Sequence, residues 1–275
     1  MGFVQQILTA TLLMGGLAVL FGIVLAIVER RFWIQTDPRV DEVEALLPGI
    51  NCGACGESGC RGVAEGIVAG DLEVNVCPVG GQAAANQIGE LLGRSAQVGP
   101  TKKAVIRCQP ELKNPPVYTG IDTCLGYQTL IGGTLGCAYG CVGLGDCQAV
   151  CPVGAIEANE QGHMQVDEAL CTGCGLCIKA CPRSIIALRE PDEALQLLCR
   201  NPEKGKQVLA VCNSGCIACG LCVKACTYGA LKMENNLPVV DYQLCEECGD
   251  CVAKCPKKCL ELKGIVVFDQ AEDAS

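Results

Sequence analysis

Residues 171–182 read CTGCGLCIKACP, which places four cysteines in eleven residues with a proline directly behind the last one. This spacing, C-x2-C-x2-C-x3-C-P, is the bacterial run that holds [4Fe-4S] clusters through cysteine thiolates. It recurs at residues 245–256 and, without the proline, at residues 216–226. In such runs the fourth cysteine ligates the other cluster of a pair. The sequence therefore predicts paired clusters and a chain that carries electrons.

The composition also indicates that inorganic groups help to hold the fold. The chain has 275 residues, enough for two or three small domains, with 25 Cys and 34 Gly but only 4% aromatic residues. Such a chain lacks the large side chains of an ordinary apolar core. A disulfide framework fits poorly, because the cysteine count is odd and neighbouring cysteines are closely spaced. The net charge of −9 argues against nucleic acid as a partner.

The first segment is long and apolar enough to cross a lipid bilayer. Residues 7–28 carry no charge, and as a helix they would span roughly 33 Å. Phe32 and Trp33 stand where an interfacial aromatic belt would lie. A cleaved signal peptide fits less well, since no Lys or Arg precedes the apolar run and no A-x-A site follows it. Arg30 and Arg31 predict a single-pass anchor in a bacterial cytoplasmic membrane, with the cysteine-rich part on the cytoplasmic side.

A separate cysteine group follows a short amphipathic helix, for which Asp37 is the predicted N-cap and Pro38 the first residue. Residues 52–77 have the pattern C-x2-C-x4-C-x16-C, and glycines between the first three cysteines let the backbone wrap closely around a cluster. The predicted ligands are Cys52, Cys55, Cys60 and Cys77. Four thiolates would also suit zinc, but zinc sites usually separate two C-x2-C pairs by a longer stretch.

The remainder of the chain is a tandem repeat. Five cysteines reappear further along the chain at one constant offset: Cys124, Cys137, Cys141, Cys147 and Cys151 match Cys199, Cys212, Cys216, Cys222 and Cys226. Four more reappear at an offset that is shorter by a single position: Cys171, Cys174, Cys177 and Cys181 match Cys245, Cys248, Cys251 and Cys255. Nine matched cysteines predict two ferredoxin modules with two clusters each, arranged head to tail.

The first module lacks one standard ligand. Cys219 lies three positions before Cys222, whereas the equivalent position before Cys147 is Leu144. We expect Cys137 to supply the missing thiolate, which gives a C-x3-C-x5-C-x3-C pattern. A three-cysteine [3Fe-4S] site is the alternative.

Crossed ligation then predicts five [4Fe-4S] clusters. The first module holds one cluster through Cys137, Cys141, Cys147 and Cys181, and the other through Cys171, Cys174, Cys177 and Cys151. The second module holds one through Cys216, Cys219, Cys222 and Cys255, and the other through Cys245, Cys248, Cys251 and Cys226. Five cysteines remain, and we expect them to be buried free thiols. They are Cys108, Cys124, Cys199, Cys212 and Cys259. A sixth cluster would require four of them to converge.

The other residues suit electron transfer better than catalysis. Each predicted cluster has four thiolates and no open iron, so no catalytic residue is expected. His163, the single histidine, is expected at the surface. The glycine-rich run at 132–136 lacks the strand–helix context of a dinucleotide site. A basic group beside the last cluster, Lys254, Lys257, Lys258 and Lys263, is either a solvated face or a landing site for a small acidic electron carrier.

The ordered motifs carry a family resemblance. They are LPGINCGACGESGC (47–60), VCPVGG (76–81), GIDTC (120–124) and GCVGLGDC (140–147), followed by the paired ferredoxin motifs. In this order, over nearly the whole chain, they resemble the B subunits of Rnf complexes in their longer form with two ferredoxin modules. The 52–77 pattern alone is also similar to corrinoid iron–sulfur proteins. Thr227 departs from the pattern, because proline follows the fourth cysteine elsewhere.

The resemblance implies a membrane complex that passes electrons between reduced ferredoxin and NAD+, coupled to Na+ or H+ movement. It implies that this subunit receives the ferredoxin electrons. Membrane subunits and a flavin- and NADH-binding subunit would be its partners. The alternatives are a membrane-anchored polyferredoxin subunit of another redox complex, an enzyme subunit acting on a small molecule or corrinoid, and a zinc-bound scaffold.

The predicted fold class is α+β: an N-terminal transmembrane helix, a small α-helical [4Fe-4S] domain and two tandem bacterial-type ferredoxin-like modules. The expected divisions are 1–34 for the anchor and juxtamembrane segment, 35–95 for the single-cluster domain, 96–190 and 191–264 for the modules, and 265–275 for an acidic tail. We expect electrons to enter at the C-terminal module and leave through the single-cluster domain. The linker at 93–103 would let that domain swing.

Overall fold

The computed structural model of the chain describes residues 2–31, 37–95, 99–113, 119–131, 136–159 and 162–263. The predicted aromatic belt at Phe32 and Trp33, most of the glycine-rich run (132–135), the middle of the linker (96–98) and the acidic tail lie outside the described residues.

Helix α1 (Phe3–Arg31) forms over the predicted apolar segment. Within the described residues it is the single helix long and apolar enough to cross a membrane. The hydroxyls of Thr9 and Thr11 donate to carbonyl oxygens one turn back, at 2.9 and 2.8 Å, so neither polar group needs an outside partner. The exposed apolar side chains along the helix leave its surface suited to lipid.

Three helices form a small domain after the anchor: α2 (Pro38–Leu46), α3 (Cys60–Ala69) and α4 (Gly81–Leu92). The predicted start of α2 is confirmed, since Asp37 is the N-cap and its carboxylate accepts a 2.9 Å hydrogen bond from the Arg39 amide. The helices enclose an apolar core in which Val43, Ile67 and Ile88 are fully buried. This core resembles that of other small helical domains, because its buried side chains are mainly aliphatic and recur at helical spacing.

The rest of the chain contains two units with the same order of strands and helices. The first comprises β1 (Lys103–Ile106), α5 (Cys124–Ile131), α6 (Asp146–Ala149), β2 (Ile156–Ala158), β3 (Met164–Val166), α7 (Leu176–Ala180) and β4 (Ile186–Arg189). The second comprises β5 (Leu195–Leu197), α8 (Gly205–Val211), α9 (Leu221–Ala225), β6 (Leu231–Glu234), β7 (Leu237–Val240), α10 (Asp250–Ala253) and β8 (Leu260–Leu262).

Strand pairing closes each unit on itself. In the first unit the outer strands β1 and β4 pair antiparallel around the inner hairpin β2–β3. In the second, β5 pairs with β8 around the hairpin β6–β7. The two closed units therefore run from residue 103 to 189 and from residue 195 to 262. Their shared order, strand–helix–helix–hairpin–helix–strand, follows the repeat of the cysteines in the sequence.

The core of each unit mixes aliphatic side chains with cysteines. The first contains Ile156 and Ile186 with Cys147 and Cys177, and the second contains Leu195 and Leu260 with cysteines that include Cys222 and Cys251. The sheets have two strands of three or four residues, and two-stranded sheets are marginally stable at best. The folded units therefore need stabilisation beyond these apolar contacts.

The two units contact each other through a short antiparallel junction. The Lys113 amide donates to the Val211 carbonyl at 3.2 Å, and the Asn213 amide donates to the Glu111 carbonyl at 2.9 Å. The hydroxyl of Ser214 donates to the Gln109 carbonyl at 2.5 Å. Residues 109–113, which lie shortly after β1, thus run along residues 211–214, at the C-terminal end of α8.

Candidate iron–sulfur centres

Four short helices place the third cysteine of each motif inside the protein. Each helix begins after a glycine with a φ between +68° and +82°, a conformation that L-residues with a side chain rarely adopt. The glycines are Gly145, Gly175, Gly220 and Gly249, and the buried cysteines that follow them are Cys147, Cys177, Cys222 and Cys251. The sharp turn lets one short segment direct several thiols toward one centre.

In the second module both predicted sets converge. One cavity is lined by the first set, Cys216, Cys219, Cys222 and Cys255, together with Cys259. A second cavity is lined by the other set, Cys226, Cys245, Cys248 and Cys251. Each cavity therefore takes three cysteines from one motif and the fourth from the other, as crossed ligation requires. The Cys259 sulfur lies 3.6 Å from that of Cys255, so Cys259 is a neighbour of this first set.

One first-module set also converges as predicted. Burial raises the pKa of Cys177 to about 11, and the nearby thiols of Cys174, Cys171 and Cys151 add to that rise. Backbone amides point at two of these sulfurs: Ala104 donates to Cys171 at 3.4 Å and Ala155 donates to Cys151 at 3.3 Å. Amide donors of this kind stabilise thiolate ligands and tune the potential of a cluster.

The other first-module set requires a correction. Its cavity is lined by Cys124, Cys141, Cys147 and Cys181, and Cys137 does not line it. The Asp146 carboxylate explains why Cys124 lines this cavity. It accepts hydrogen bonds from the amides of Cys124 and Leu125 at 2.8 and 3.1 Å. Asp146 therefore holds the first turn of α5 against the motif. We revise the fourth ligand of this set from Cys137 to Cys124.

Cys137 lies in a different cavity. That cavity is also lined by Cys108, Cys199 and Cys212, three of the cysteines that the sequence left without a partner. Cys199 and Cys212 are buried, as expected for leftover thiols, and so are Cys124 and Cys259, whereas Cys108 is half-buried. The repeat could not separate Cys124 from Cys137, since both have counterparts at the same offset in the second module.

The set nearest the anchor in sequence, here called the membrane-proximal set, lies between the helices of the small domain. It comprises Cys52, Cys55, Cys60 and Cys77. The thiol of Cys77 is near those of Cys55 and Cys60, and burial is the main cause of its raised pKa. The Asn51 side-chain oxygen accepts from the Cys60 amide at 2.7 Å, which ties the loop to the start of α3. The Gly80 amide donates to the Cys77 sulfur at 3.4 Å. Cys52, the fourth predicted ligand, is half-buried in the same loop.

The buried thiols of these sites carry protons that a cluster would have to replace. In the part of the chain that the structure describes, no three Cys, His, Asp or Glu side chains are placed to hold one metal ion. Four thiolates that ligate a cubane are kept apart by its iron and sulfide core. Burial raises the pKa of Cys147 to about 12 and that of Cys251 to about 11. Iron must therefore displace these protons when it binds.

The second module exposes two of its candidate ligands, whereas the first module has no exposed cysteine at the matching positions. Cys219 and Cys248, one from each second-module set, are exposed. The matching positions in the first module are Leu144 and the half-buried Cys174. An electron carrier could therefore approach the second-module ligands more closely.

The revised ligand can be tested by rescue. Replacing Cys124 by Ala should convert its cluster to a three-iron form, with an EPR signal in the oxidised protein and a loss of at least one iron per chain. Adding Leu144→Cys should restore the lost iron, because position 144 is the standard ligand position of this motif. Rescue of Cys137→Ala by Leu144→Cys, with no rescue of Cys124→Ala, would contradict the revision.

Iron–sulfur family models match most of the cysteine-bearing sequence. A model described as a putative Fe-S cluster matches residues 47–79. Models described as 4Fe-4S dicluster domains match residues 138–188, 170–230 and 215–260. The middle match crosses from the first closed unit into the second, because it pairs the last motif of one with the first motif of the other.

Similar proteins of known type cover nearly the whole chain. The B subunit of the Na+-translocating ferredoxin:NAD+ oxidoreductase complex of Acetobacterium woodii is 42% identical over 93% of this chain and 78% of its own length. The B subunit of an ion-translocating oxidoreductase complex of Methanosarcina acetivorans is 40% identical over 91% and 96%. The B subunit of the proton-translocating ferredoxin:NAD+ oxidoreductase complex of Clostridium ljungdahlii is 39% identical over 87% and 87%.

Proposed function

The chain belongs to the B-subunit family of Rnf-type ion-translocating ferredoxin:NAD+ oxidoreductase complexes, and we propose that it relays electrons from reduced ferredoxin to its partner subunits. The observation that carries this function is the convergence of cysteines in crossed sets of four, which is seen in both closed units. A [4Fe-4S] cluster with four thiolate ligands exchanges single electrons and has no open iron for a substrate.

We propose the following ligand sets for five [4Fe-4S] clusters. The membrane-proximal set is Cys52, Cys55, Cys60 and Cys77. The first-module sets are Cys124, Cys141, Cys147 and Cys181, and Cys151, Cys171, Cys174 and Cys177. The second-module sets are Cys216, Cys219, Cys222 and Cys255, and Cys226, Cys245, Cys248 and Cys251. Support comes from the shared cavities, from the mutual effects of the thiols on their pKa values and from the motif spacing.

The domain division and the topology are part of the same proposal. The anchor and juxtamembrane segment cover 1–34, the single-cluster domain 35–95, the modules 96–190 and 191–264, and the tail 265–275. The antiparallel pairing of the first and last strand of each module supports the two module ranges. Arg30 and Arg31 at the end of α1 favour the cytoplasmic side of the membrane for the clusters. Membrane subunits and a flavin- and NADH-binding subunit would carry out ion movement and NAD+ reduction.

We place the entry of electrons at the second-module cluster that includes Cys219. Lys257 lines the same cavity as Cys219, and Lys254 and Lys258 are exposed nearby in sequence. The other exposed ligand, Cys248, instead has acidic neighbours, Glu246 and Glu247. A small acidic carrier such as ferredoxin would be attracted to the lysines and repelled by the glutamates. Among the described residues, Lys254, Lys257 and Lys258 form no ion pair within 4 Å, which leaves their charges available.

Charge reversal should weaken this encounter. We expect Lys257→Glu with Lys258→Glu to raise the apparent KM for reduced ferredoxin about tenfold at low salt, because two reversed charges cost on the order of 1–2 kcal/mol. The difference should shrink as salt screens the charges. Lys204→Glu with Lys206→Glu is the matched control, since both lysines are exposed on another part of the module. An equal rise in KM in both double variants would contradict a local docking site.

The direct test of the function uses the full chain, purified without oxygen. Mixing it with reduced ferredoxin should bleach the visible absorption of the clusters and produce the EPR signals of reduced [4Fe-4S] centres. Chemically reduced ferredoxin that leaves the clusters oxidised, although dithionite reduces them, would rule out the proposed electron donor.

A further inference from the structure

We propose that Cys108, Cys137, Cys199 and Cys212 hold a sixth [4Fe-4S] cluster at the junction of the two modules, where it carries electrons from one module to the other. All four cysteines line one cavity. The first two belong to the first module and the last two to the second. The cluster would therefore cross-link the two units beside their antiparallel junction.

The thiols in this cavity are close enough to influence one another. Burial raises the pKa of Cys137, and the nearby Cys212 thiol adds to the rise. Burial also raises the pKa values of Cys108 and Cys199, and both thiols are affected by Cys137. Four thiols gathered in one place, from segments that span residues 108–212, are the arrangement that a cubane requires.

Two glycines keep space open beside these sulfurs. Gly140 and Gly215 both line the cavity, and they are related by the same repeat offset as Cys137 and Cys212. A Cβ atom on Gly140 would lie 3.5 Å from the sulfurs of both Cys108 and Cys137. A Cβ atom on Gly215 would lie 2.6 Å from Val208 Cγ1 and 3.7 Å from the Cys212 sulfur. An alanine at Gly140 would therefore touch both sulfurs and come within 3.2 Å of the Cys137 Cβ atom, and one at Gly215 would collide with Val208 in the wall of the cavity.

The sulfurs also have polar partners of the kind that cluster ligands use. Asn201 is only 3% exposed, and its Nδ2 donates to the Cys137 sulfur at 3.6 Å. Its Oδ1 accepts from the Glu203 amide at 2.9 Å, which sets the orientation of the side-chain amide. The hydroxyl of Ser214 lies 3.5 Å from the Cys212 sulfur. Hydrogen bonds to ligand sulfurs tune the reduction potential of a cluster.

Two further hydrogen bonds connect this cavity to a cluster of each module. The Cys141 amide donates to the Cys108 sulfur at 3.2 Å. The Cys216 amide donates to the Cys199 sulfur at 3.3 Å. Because Cys141 and Cys216 are proposed ligands of a first-module and a second-module cluster, the junction cluster would adjoin both. These contacts make it the short connection between the two modules.

The transfer step involves electrons alone. A second-module cluster goes from the 1+ to the 2+ state as it gives up one electron, and the junction cluster goes from 2+ to 1+. The junction cluster then returns to 2+ as it reduces a first-module cluster. No bond forms or breaks and no proton moves. Reduced ferredoxin, the donor of the proposed function, supplies the electron.

The first test counts metal in the full chain, purified without oxygen. Six cubanes predict about 24 iron and 24 sulfide per chain, whereas five predict about 20 of each. Cys199→Ala should lose between one and four iron, while Cys259→Ala, which removes the one cysteine outside the six sets, should keep the wild-type content. About 20 iron in the wild type, with no further loss in Cys199→Ala, would overturn the sixth cluster and leave the proposed function standing.

The second test follows electron transfer between the modules. When reduced ferredoxin is mixed with Cys199→Ala and samples are frozen at intervals, the second-module EPR signals should appear at the wild-type rate. The first-module signals should appear at least tenfold more slowly. Equal rates in the variant and the wild type would show that electrons cross without this cluster and would overturn its role.

The third test does not depend on removing a ligand. Asn201→Ala should keep about 24 iron per chain, because all thiolates remain. Without the Asn201 hydrogen bond to the Cys137 sulfur, one cluster should become harder to reduce, with its potential shifted to a more negative value in an EPR-monitored titration. A titration in which every cluster keeps its wild-type potential would contradict the assignment of Cys137 to a cluster at this position.

Discussion

Replacing Cys55 by Ala is expected to stop ferredoxin-driven NAD+ reduction by the assembled complex, while the clusters of the two modules still become reduced. Cys55 lies in the loop before α3, with its thiol near that of Cys77, in the domain that follows the anchor directly. We propose this domain as the exit for electrons, so a damaged cluster here would interrupt transfer after the modules. NADH formation from reduced ferredoxin measures the loss, and EPR of the same sample measures the reduced module clusters.

The domain itself should remain folded in this variant. Its aliphatic core includes the fully buried Val43, Ile67 and Ile88, whereas the half-buried Cys55 only packs against the edge of that core. Ser58→Ala is the matched control, because Ser58 is in the same loop and carries no thiol. If Cys55→Ala lost its cluster and the complex still reduced NAD+ at the wild-type rate, electrons would leave this subunit by another route.

Removal of iron by anaerobic chelation is expected to unfold both modules. Each module has two-stranded sheets, and its motif helices have four or five residues, which are too short to be stable alone. A single structural zinc ion contributes about 10–16 kcal/mol to the folding of a small domain. That is comparable with the total stability of most domains, about 5–15 kcal/mol. Loss of two or more clusters should therefore exceed what the remaining contacts supply.

Hydrogen exchange detected by mass spectrometry is the measurement for this prediction. Peptides from residues 103–262 should lose their protection after chelation and regain it when iron and sulfide are restored. Peptides from α1 should keep theirs, since that helix satisfies its own backbone and is apolar along its length. Protein that is colourless and free of iron, yet still protected over residues 103–262, would show that the clusters do not hold the fold.

The parts of the fold with local causes were predictable. The apolar run forms α1, and Asp37 caps α2 as its position before Pro38 suggests. In the motifs with standard spacing, the glycine turns and the short helices bring cysteines three or four positions apart to one place. These features depend on residues within a turn or two of one another, so spacing along the chain is sufficient information.

The predicted ligand Cys137 and the observed neighbour Cys124 differ because of a contact between distant residues. Cys124 and Cys137 have equivalent partners in the second repeat, and both precede the motif at Cys141. The choice between them depends on Asp146, which holds the start of α5 through the amides of Cys124 and Leu125. A carboxylate that acts 22 residues away in sequence leaves no periodic signal.

The sequence by itself determined the family, the transmembrane helix, the repeat and most members of the cluster sets, because closely spaced thiols can reach a common centre only through local backbone turns. The tertiary structure alone placed Cys124 in the cavity of the motif that lacks a thiol at Leu144, and placed Cys108, Cys137, Cys199 and Cys212 in one cavity between the modules. Those thiols lie on separate segments, which are brought together by tertiary contacts such as the antiparallel pairing of residues 109–113 with 211–214 and the Asn201 hydrogen bond to the Cys137 sulfur.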